Sequence, residues 1–222
     1  LLKHVIITID GPSGTGKSTI AREVADRLGY FFLDTGAIYR SAAVAIDNAH
    51  IDIDDEQSCA DLIKNTDFDI THNSIKIDGL DVTEKIRENH ISGLSSVIAA
   101  FPAVRAALVD IQRSFKHKTS LVAEGRDTGS IIFPDADIKI YLDASPEIRA
   151  QRRHKELNSK GIDISYDRVF SDIQDRDRRD STRSTAPLTI PEHAIVVNTT
   201  HLVKDAVSEL VLRIIYKKLA DK

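Results

Sequence analysis

Ile6-Ile7-Thr8-Ile9-Asp10-Gly11-Pro12-Ser13-Gly14-Thr15-Gly16-Lys17-Ser18-Thr19 is an apolar β-type run that feeds directly into G-x-x-x-x-G-K-S. Glycines at 11, 14 and 16 let such a loop wrap an anion with its N–H groups pointing inward. Lys17 adds a mobile positive charge, and the Ser18 hydroxyl is a hard oxygen ligand for Mg²⁺. Beyond the loop, Ile20, Val24 and Leu28 recur every fourth residue beside Ala21 and Ala25, which is the apolar stripe of an amphipathic helix. The loop therefore ends at a helix N-terminus, where free amides and the macrodipole favour phosphate. An ordinary Gly-rich turn is the alternative, but it explains neither the strand before nor the helix after. The stretch reads as a nucleoside-triphosphate site with Gly11, Pro12, Ser13, Gly14, Thr15, Gly16, Lys17, Ser18 and Thr19 as its contacts.

The rest of the composition narrows the class. A chain of 222 residues accommodates one α/β domain, with or without insertions. The formal charge of −4, with both signs mixed along the chain, makes no global case for nucleic acid or an anionic membrane. The longest charge-free stretch, Ile91 to Val104, is too short and too rich in Ser to span a bilayer, and no leader-like segment opens the chain. Cys59 is the single cysteine, which rules out an internal disulfide framework and reads as a half-buried helix residue. These features point to the cytoplasm. Scattered histidines lack metal-ligand spacing.

Five β-type runs alternate with helical patterns: Val5–Ile9, Phe31–Leu33, Leu121–Ala123, Ile138–Leu142 and Ile195–Val197. Short, apolar and rich in Val or Ile, they suit a parallel sheet covered on both faces, with ligands at the carboxyl ends of the strands. Two segments interrupt the alternation. Phe68-Asp69-Ile70 and Ile75-Lys76-Ile77 flank the turn signal Asn73-Ser74, and Asp78-Gly79 marks another, which predicts a small antiparallel insert between Phe68 and Arg87. Arg149 to Arg183 is densely charged, with Asn158-Ser159-Lys160-Gly161 as a loop between two helical pieces. One domain, 1–222, is expected, carrying a monophosphate-binding insert at about 62–100 and a lid at about 149–183.

Three further clusters sit where such a sheet places its ligands. Asp34-Thr35-Gly36-Ala37-Ile38-Tyr39-Arg40 leaves the second strand. Thr35 and the Arg40 fork can bind a second phosphate, or Asp34 or Thr35 simply caps a helix with Arg40 in solvent. Glu124-Gly125-Arg126-Asp127 ends the third strand, with Glu124 where P-loop proteins hold Mg²⁺ directly or through water. A structural Arg–Asp pair is the alternative there. Finally, Arg149, Arg152 and Arg153 share one helical face, and Arg176, Arg179, Asp180 and Arg183 are spaced to project together. These arginines are either a solvated face paired with interleaved Asp residues or a mobile cover for a transferring phosphoryl group.

Taken together, the chain closely resembles bacterial-type cytidylate kinases, within the nucleoside-monophosphate kinases. The residues that carry the resemblance are Ile9 to Ser18, Leu33 to Arg40, Glu124-Gly125-Arg126-Asp127-Thr128-Gly129, and Arg176-Asp177-Arg178-Arg179-Asp180 leading to Ala186-Pro187-Leu188. The resemblance implies a P-loop three-layer αβα core with a five-stranded parallel sheet, a small antiparallel β insert and a helical lid. It implies transfer of the γ-phosphoryl group of ATP to CMP or dCMP, with Mg²⁺ held by Ser18 and Glu124. By position, Thr35, Arg40, Arg126 and Arg183 hold the acceptor phosphate, with Tyr39 also among the acceptor residues. Ser96, Arg105 and Asp127 face the cytosine, and Arg176 with Asp180 the sugar. Lys17, Arg152 and Arg179 are the expected catalytic residues. The partners it implies are ATP and CMP or dCMP alone, for a monomer that binds neither nucleic acid nor membrane. Rival expectations are a kinase for another small acceptor and a slowly hydrolysing nucleotide switch, although the N-K-x-D motif of guanine-reading switches is absent.

Overall fold

The computed structural model describes residues 4–72 and 74–221; Asn73, half of one predicted turn signal, lies outside them. In chain order the elements are β1 (Ile6–Asp10), α1 (Lys17–Leu28), β2 (Phe31–Asp34), α2 (Thr35–Asn48), α3 (Glu56–Asn65), β3 (Phe68–Ile70), β4 (Ile75–Ile77) and β5 (Leu80–Asp81). They continue with α4 (Asn89–Ile98), α5 (Pro102–Ser114), β6 (Leu121–Gly125), β7 (Ile138–Asp143), α6 (Pro146–Ser159), α7 (Tyr166–Thr182), β8 (Ile195–Asn198) and α8 (Lys204–Ala220). Two compact units result: one comprises 1–33 and 120–222, the other 34–119.

The first unit is built on a five-stranded sheet of order β2-β6-β1-β7-β8. Its central strand β1 runs parallel to β6 and β7, and β7 runs parallel to β8. Every residue of β1 and of β6 is buried, as strands covered on both faces must be. Both run further than their apolar content suggests. The parallel register continues through Ile9 opposite Glu124 and Asp10 opposite Gly125, so the ladder carries polar residues to the sheet's carboxyl edge. Ile20, Ala21 and Val24 of α1 and Val207, Val211 and Ile215 of α8 pack in one cluster with Ile7, Ile9, Val122, Ile140 and Leu142 of the strands. Each such Val, Leu or Ile side chain contributes about 1.5–3 kcal/mol by leaving water. Gly29, at φ 66, stops α1 by turning its N–H back onto the Ala25 and Asp26 carbonyls.

The second unit is helical with a small sheet. Asp55 caps α3 by accepting from Ser58 N–H at 3.0 Å. Pro102 starts α5, where its missing N–H costs no hydrogen bond, and Ala103 N–H donates to Glu56 Oε1 at 2.7 Å, which ties α5 to α3. β3, β4 and β5 pair antiparallel in that order, which bears out the expected insert. Phe68 opposes Ile77 and Ile70 opposes Ile75 on one face, with Asp69 opposite Lys76 on the other. Cys59 is fully buried in α3, deeper than the half-buried position expected. Among the described residues no single helix is long and apolar enough to cross a membrane.

Ile140 is wholly buried at the centre of the first unit's core. Ile140→Ala is expected to destabilise the protein by about 2–5 kcal/mol through lost transfer energy and a residual cavity, read as a lower urea midpoint at unchanged slope.

Candidate nucleotide site

Within the first unit, the loop after β1 has almost no freedom. A Cβ on Gly11, whose φ is 150°, would collide with the main-chain oxygen of Leu142 on β7, so the chain must pass that point bare. Lys17 opens α1 and is only 5% exposed, with Nζ donating to the Pro12 carbonyl at 3.0 Å. Thr15 Oγ1 donates to the same carbonyl at 3.1 Å. Burial, reinforced by Arg126 and then Arg176, pushes the Lys17 ammonium down from 10.5 to about 7, against the opposing pull of Glu124 and Asp180. A lysine sunk among arginines is a site short of negative charge, and a polyphosphate supplies it. Ser18 Oγ donates to Glu124 Oε1 at 2.7 Å, which puts a hydroxyl and a carboxylate side by side at the start of α1.

The residues after β6 meet the end of α7. Arg126 Nε donates to Asp180 Oδ2 at 2.9 Å, and Arg183 Nη2 lies 3.7 Å from Asp127 Oδ1. Burial alone would raise the Asp180 pKa, but Arg126, Arg176 and Arg183 outweigh it and hold the carboxylate below its ordinary range. Arg183 Nε also donates to the Ala186 carbonyl at 2.6 Å, and Ala186 sits at φ 51, a left-handed conformation that costs a residue with a side chain. Asp127 is 6% exposed. Directly after it, Asp10 Oδ1 accepts from Thr128 N–H at 2.9 Å and from Thr128 Oγ1 at 2.6 Å, while Oδ2 accepts from Gly129 N–H at 2.8 Å.

Not every arginine in the charged segment joins this group. Arg176, Asp180 and Arg183 do, but Arg179 is exposed and lies with Arg168, Asp172 and Asp175 along another groove of α7. At about 100° per residue, Arg179 stands roughly 60° off Arg176 on the side toward Asp172 and Asp175, so the common projection expected from spacing does not hold. Arg152 is engaged elsewhere, its guanidinium donating to Thr199 Oγ1 at 3.0 Å, Thr199 O at 2.6 Å and Leu202 O at 3.2 Å. Arg153 pairs with Glu156 at the surface. Arg149, expected beside them, is a buried strut: Nε donates to Ala144 O at 2.9 Å, and Nη1 reaches Ser13 O at 3.0 Å and Asp177 Oδ2 at 2.6 Å. It thereby ties the loop after β1 to both α6 and α7.

Within the second unit, the capping reading of the Asp34–Arg40 stretch holds at Asp34, but Arg40 is not left in solvent. Asp34 caps α2 by accepting from Ala37 N–H at 2.7 Å, and its other oxygen pairs with Arg40 Nη2 at 3.1 Å, so Arg40 is held rather than free in solvent. Thr35 is buried in the first turn of α2. Arg105, buried on α5, lies over the Tyr39 ring at 5.5 Å and donates to Ala99 O at 3.1 Å, a stacked cation on an aromatic face. Ser96 Oγ donates back to Ser92 O at 3.0 Å on α4.

The burial of Lys17 has a thermodynamic consequence. Between about pH 7 and 10.5 the unfolded chain keeps a proton that the folded one releases. The penalty is therefore complete below pH 7 and is relieved as pH rises through that window. In nucleotide-free protein, Lys17→Met is expected to raise Tm by on the order of 5 °C near pH 6.5, with the gain shrinking toward pH 10. Calorimetry across that range checks both the sign and the slope.

Residues 7–217 match the family model described as cytidylate kinase. A cytidylate kinase of Aeromonas salmonicida is 43% identical over 97% of this chain and 96% of its own length. One from Colwellia psychrerythraea is 45% identical over 95% and 94%. Among solved structures, an uncharacterized protein from Eubacterium ventriosum aligns over 97% of this chain and 99% of its own at TM-score 0.53 and 11% identity, which speaks to fold alone. With the family model spanning nearly the whole chain and relatives this similar end to end, the chain belongs to the cytidylate kinase family and is a phosphotransferase.

Proposed function

We propose that the chain transfers the γ-phosphoryl group of ATP to CMP or dCMP, giving CDP or dCDP and ADP. The observation that carries this reading is a buried P-loop lysine, held by the Pro12 carbonyl, beside a Ser18–Glu124 pair, with the Arg126–Asp180 pair following the same sheet edge. Cations gathered at one sheet edge suit a pair of anionic groups, the donor and the acceptor phosphate. In this reading ATP lies on Gly11–Thr19. Arg126 and Arg183, with Thr35, Tyr39 and Arg40, bind the acceptor phosphate.

The acceptor phosphate oxygen attacks the γ-phosphorus in line. No general base is needed, because a phosphate monoester carries ~−1.5 to −2 charge near neutral pH and is already nucleophilic. Lys17 and the neighbouring guanidinium groups neutralise charge that spreads over the equatorial oxygens, so the protein contributes position and electrostatics. Arg152 and Arg179 join in only by leaving Thr199 and Asp175, which the Gly161-bearing loop between α6 and α7 would permit on lid closure. The hydroxyl of Ser18 and the carboxylate of Glu124 fit Mg²⁺, an ion that takes few protein oxygens and several from phosphate and water. When bound, that ion supplies charge neutralisation of the phosphates. No cluster of three or more His, Cys, Asp or Glu among the described residues offers a cage of another kind.

Base choice falls to Asp127, Arg105 and Ser96, with Arg176 and Asp180 on the sugar. Cytosine presents an amino donor and ring acceptors, which suit a carboxylate acceptor and an arginine donor. Uracil reverses two of those groups and would leave buried partners unpaired.

ADP release from ATP across CMP, dCMP, UMP, dTMP, AMP and shikimate tests this reading. Turnover stimulated by CMP and dCMP is expected; hydrolysis indifferent to acceptor would support a nucleotide switch instead. Lys17→Ala is expected to abolish turnover in a folded protein, and near-normal rates in that variant would sink the assignment. Asp127→Ala should erode the CMP-over-UMP ratio of kcat/KM by about tenfold or more while the KM for ATP stays within about twofold.

A further inference from the structure

We propose that Asp10 is the positioning residue that sets Arg126 and Asp127 in register with the P-loop, so that base discrimination depends on a carboxylate that touches neither nucleotide. The inference rests on the acceptor reading above and deepens it.

Asp10 is the last residue of β1 and immediately precedes Gly11. It is completely buried, a costly place for a carboxylate, and it keeps an elevated pKa from that burial even after three hydrogen bonds favour its ionised form. Those bonds take both oxygens: Oδ1 receives the N–H and hydroxyl of Thr128, and Oδ2 the N–H of Gly129. With its acceptor directions turned to the protein and no exposure, the carboxylate is not placed to act as a base or to ligate an ion.

What it does hold is the peptide that follows Asp127. The Thr128 N–H of that peptide is captured by Asp10, and its carbonyl, that of Asp127, accepts from Ile131 N–H at 2.9 Å and Ile132 N–H at 3.2 Å in a short π-helical turn. Pinned on both sides, the peptide leaves the Asp127 side chain only its own torsions. Gly129 completes the clamp. A Cβ there would stand 2.7 Å from Thr8 Oγ1 and 3.1 Å from Asp10 Oδ2, so only a bare main chain can come close enough to be captured. On the other side of the same peptide run, Arg126 and Asp127 reach Asp180 and Arg183. One carboxylate at the root of the P-loop thus sets where the proposed acceptor-reading pair begins.

The chemistry of Asn shows how to break this without removing bulk. An Asn side chain has one acceptor oxygen, and its amide donors would confront an N–H of Thr128 or Gly129. Asp10→Asn is expected to lower kcat/KM for CMP by about tenfold or more and to shrink the CMP-over-UMP ratio, with KM for ATP within about twofold of wild type. Thr128→Val deletes only the hydroxyl donor and should show the same split in weaker form; Thr128→Ser, which restores it, should return the ratio to wild type. These two variants decide the matter if Asp10→Asn does not fold. Parallel losses for ATP and CMP, or an unchanged CMP-over-UMP ratio with only a lower Tm, would overturn the inference and leave the acceptor reading standing. A wild-type protein that does not distinguish CMP from UMP would instead overturn the acceptor reading, and the inference with it.

Discussion

Burying ionisable groups at the carboxyl end of β1 is the constraint around which the first unit is arranged. Asp10 and Lys17 sit at opposite ends of one loop, and neither is exposed enough for water to solvate it. The fold answers the two in different ways. Asp10 is satisfied by donors that the chain itself brings from the segment after β6. Lys17 has a single main-chain acceptor, and burial with two arginines outweighs the pull of Glu124 and Asp180. A satisfied charge is structural, and an unsatisfied one waits for a ligand. The contrast between them separates scaffold from binding group within a few residues.

The charged segment 149–183 shows the same division along helices. Spacing alone makes all its arginines equivalent, yet their partners sort them. Arg149 and Arg152 are engaged mostly with main-chain carbonyls, and also with Asp177 and the Thr199 hydroxyl, since a five-donor fork can tie several loops at once. Arg176 and Arg183 face carboxylates in the network around Arg126. Arg168, Arg178 and Arg179 line the solvent side of α7, where screening leaves each pair worth little. A charge run of this kind is therefore a strut, a carboxylate-paired network and a solvated face at the same time.

The sequence is most legible where structure follows short-range pattern. The five strands, the amphipathic helix after the loop and the hairpin insert all follow from periodicity and turn chemistry within windows of a few residues. Asp34 illustrates the limit: its capping role follows from local sequence, but the pairing of its other oxygen with Arg40, six residues on, does not. Arg179 was misplaced because a spacing of three drifts around a helix, and only the neighbouring elements show which side of the drift is occupied. The partners of Asp10 are beyond any local pattern, since they lie 118 and 119 residues away. A trace of the pairing existed nonetheless, in an acidic residue ending an otherwise apolar buried strand, which demands a partner from somewhere.

Ala186 extends this reasoning from charge to backbone. Its φ of 51° has no glycine to excuse it, and the residue is nearly buried. The conformation turns its carbonyl onto Arg183 Nε, while Leu188 N–H returns to the Asp180 carbonyl at 2.7 Å and closes the loop over the end of α7. Of order 1–3 kcal/mol is stored in such a residue, and here it goes into fixing the guanidinium that faces Asp127. The same design appears at Asp10, where burial energy is committed to one side of Asp127, and at Ala186, where strain is committed to the other. If Asp127 reads the base as proposed, telling an amino group from a carbonyl oxygen requires that rigidity. A mobile Asp127 could rotate to accept from water or from Arg183 alone, and the mismatch against uracil would then cost little.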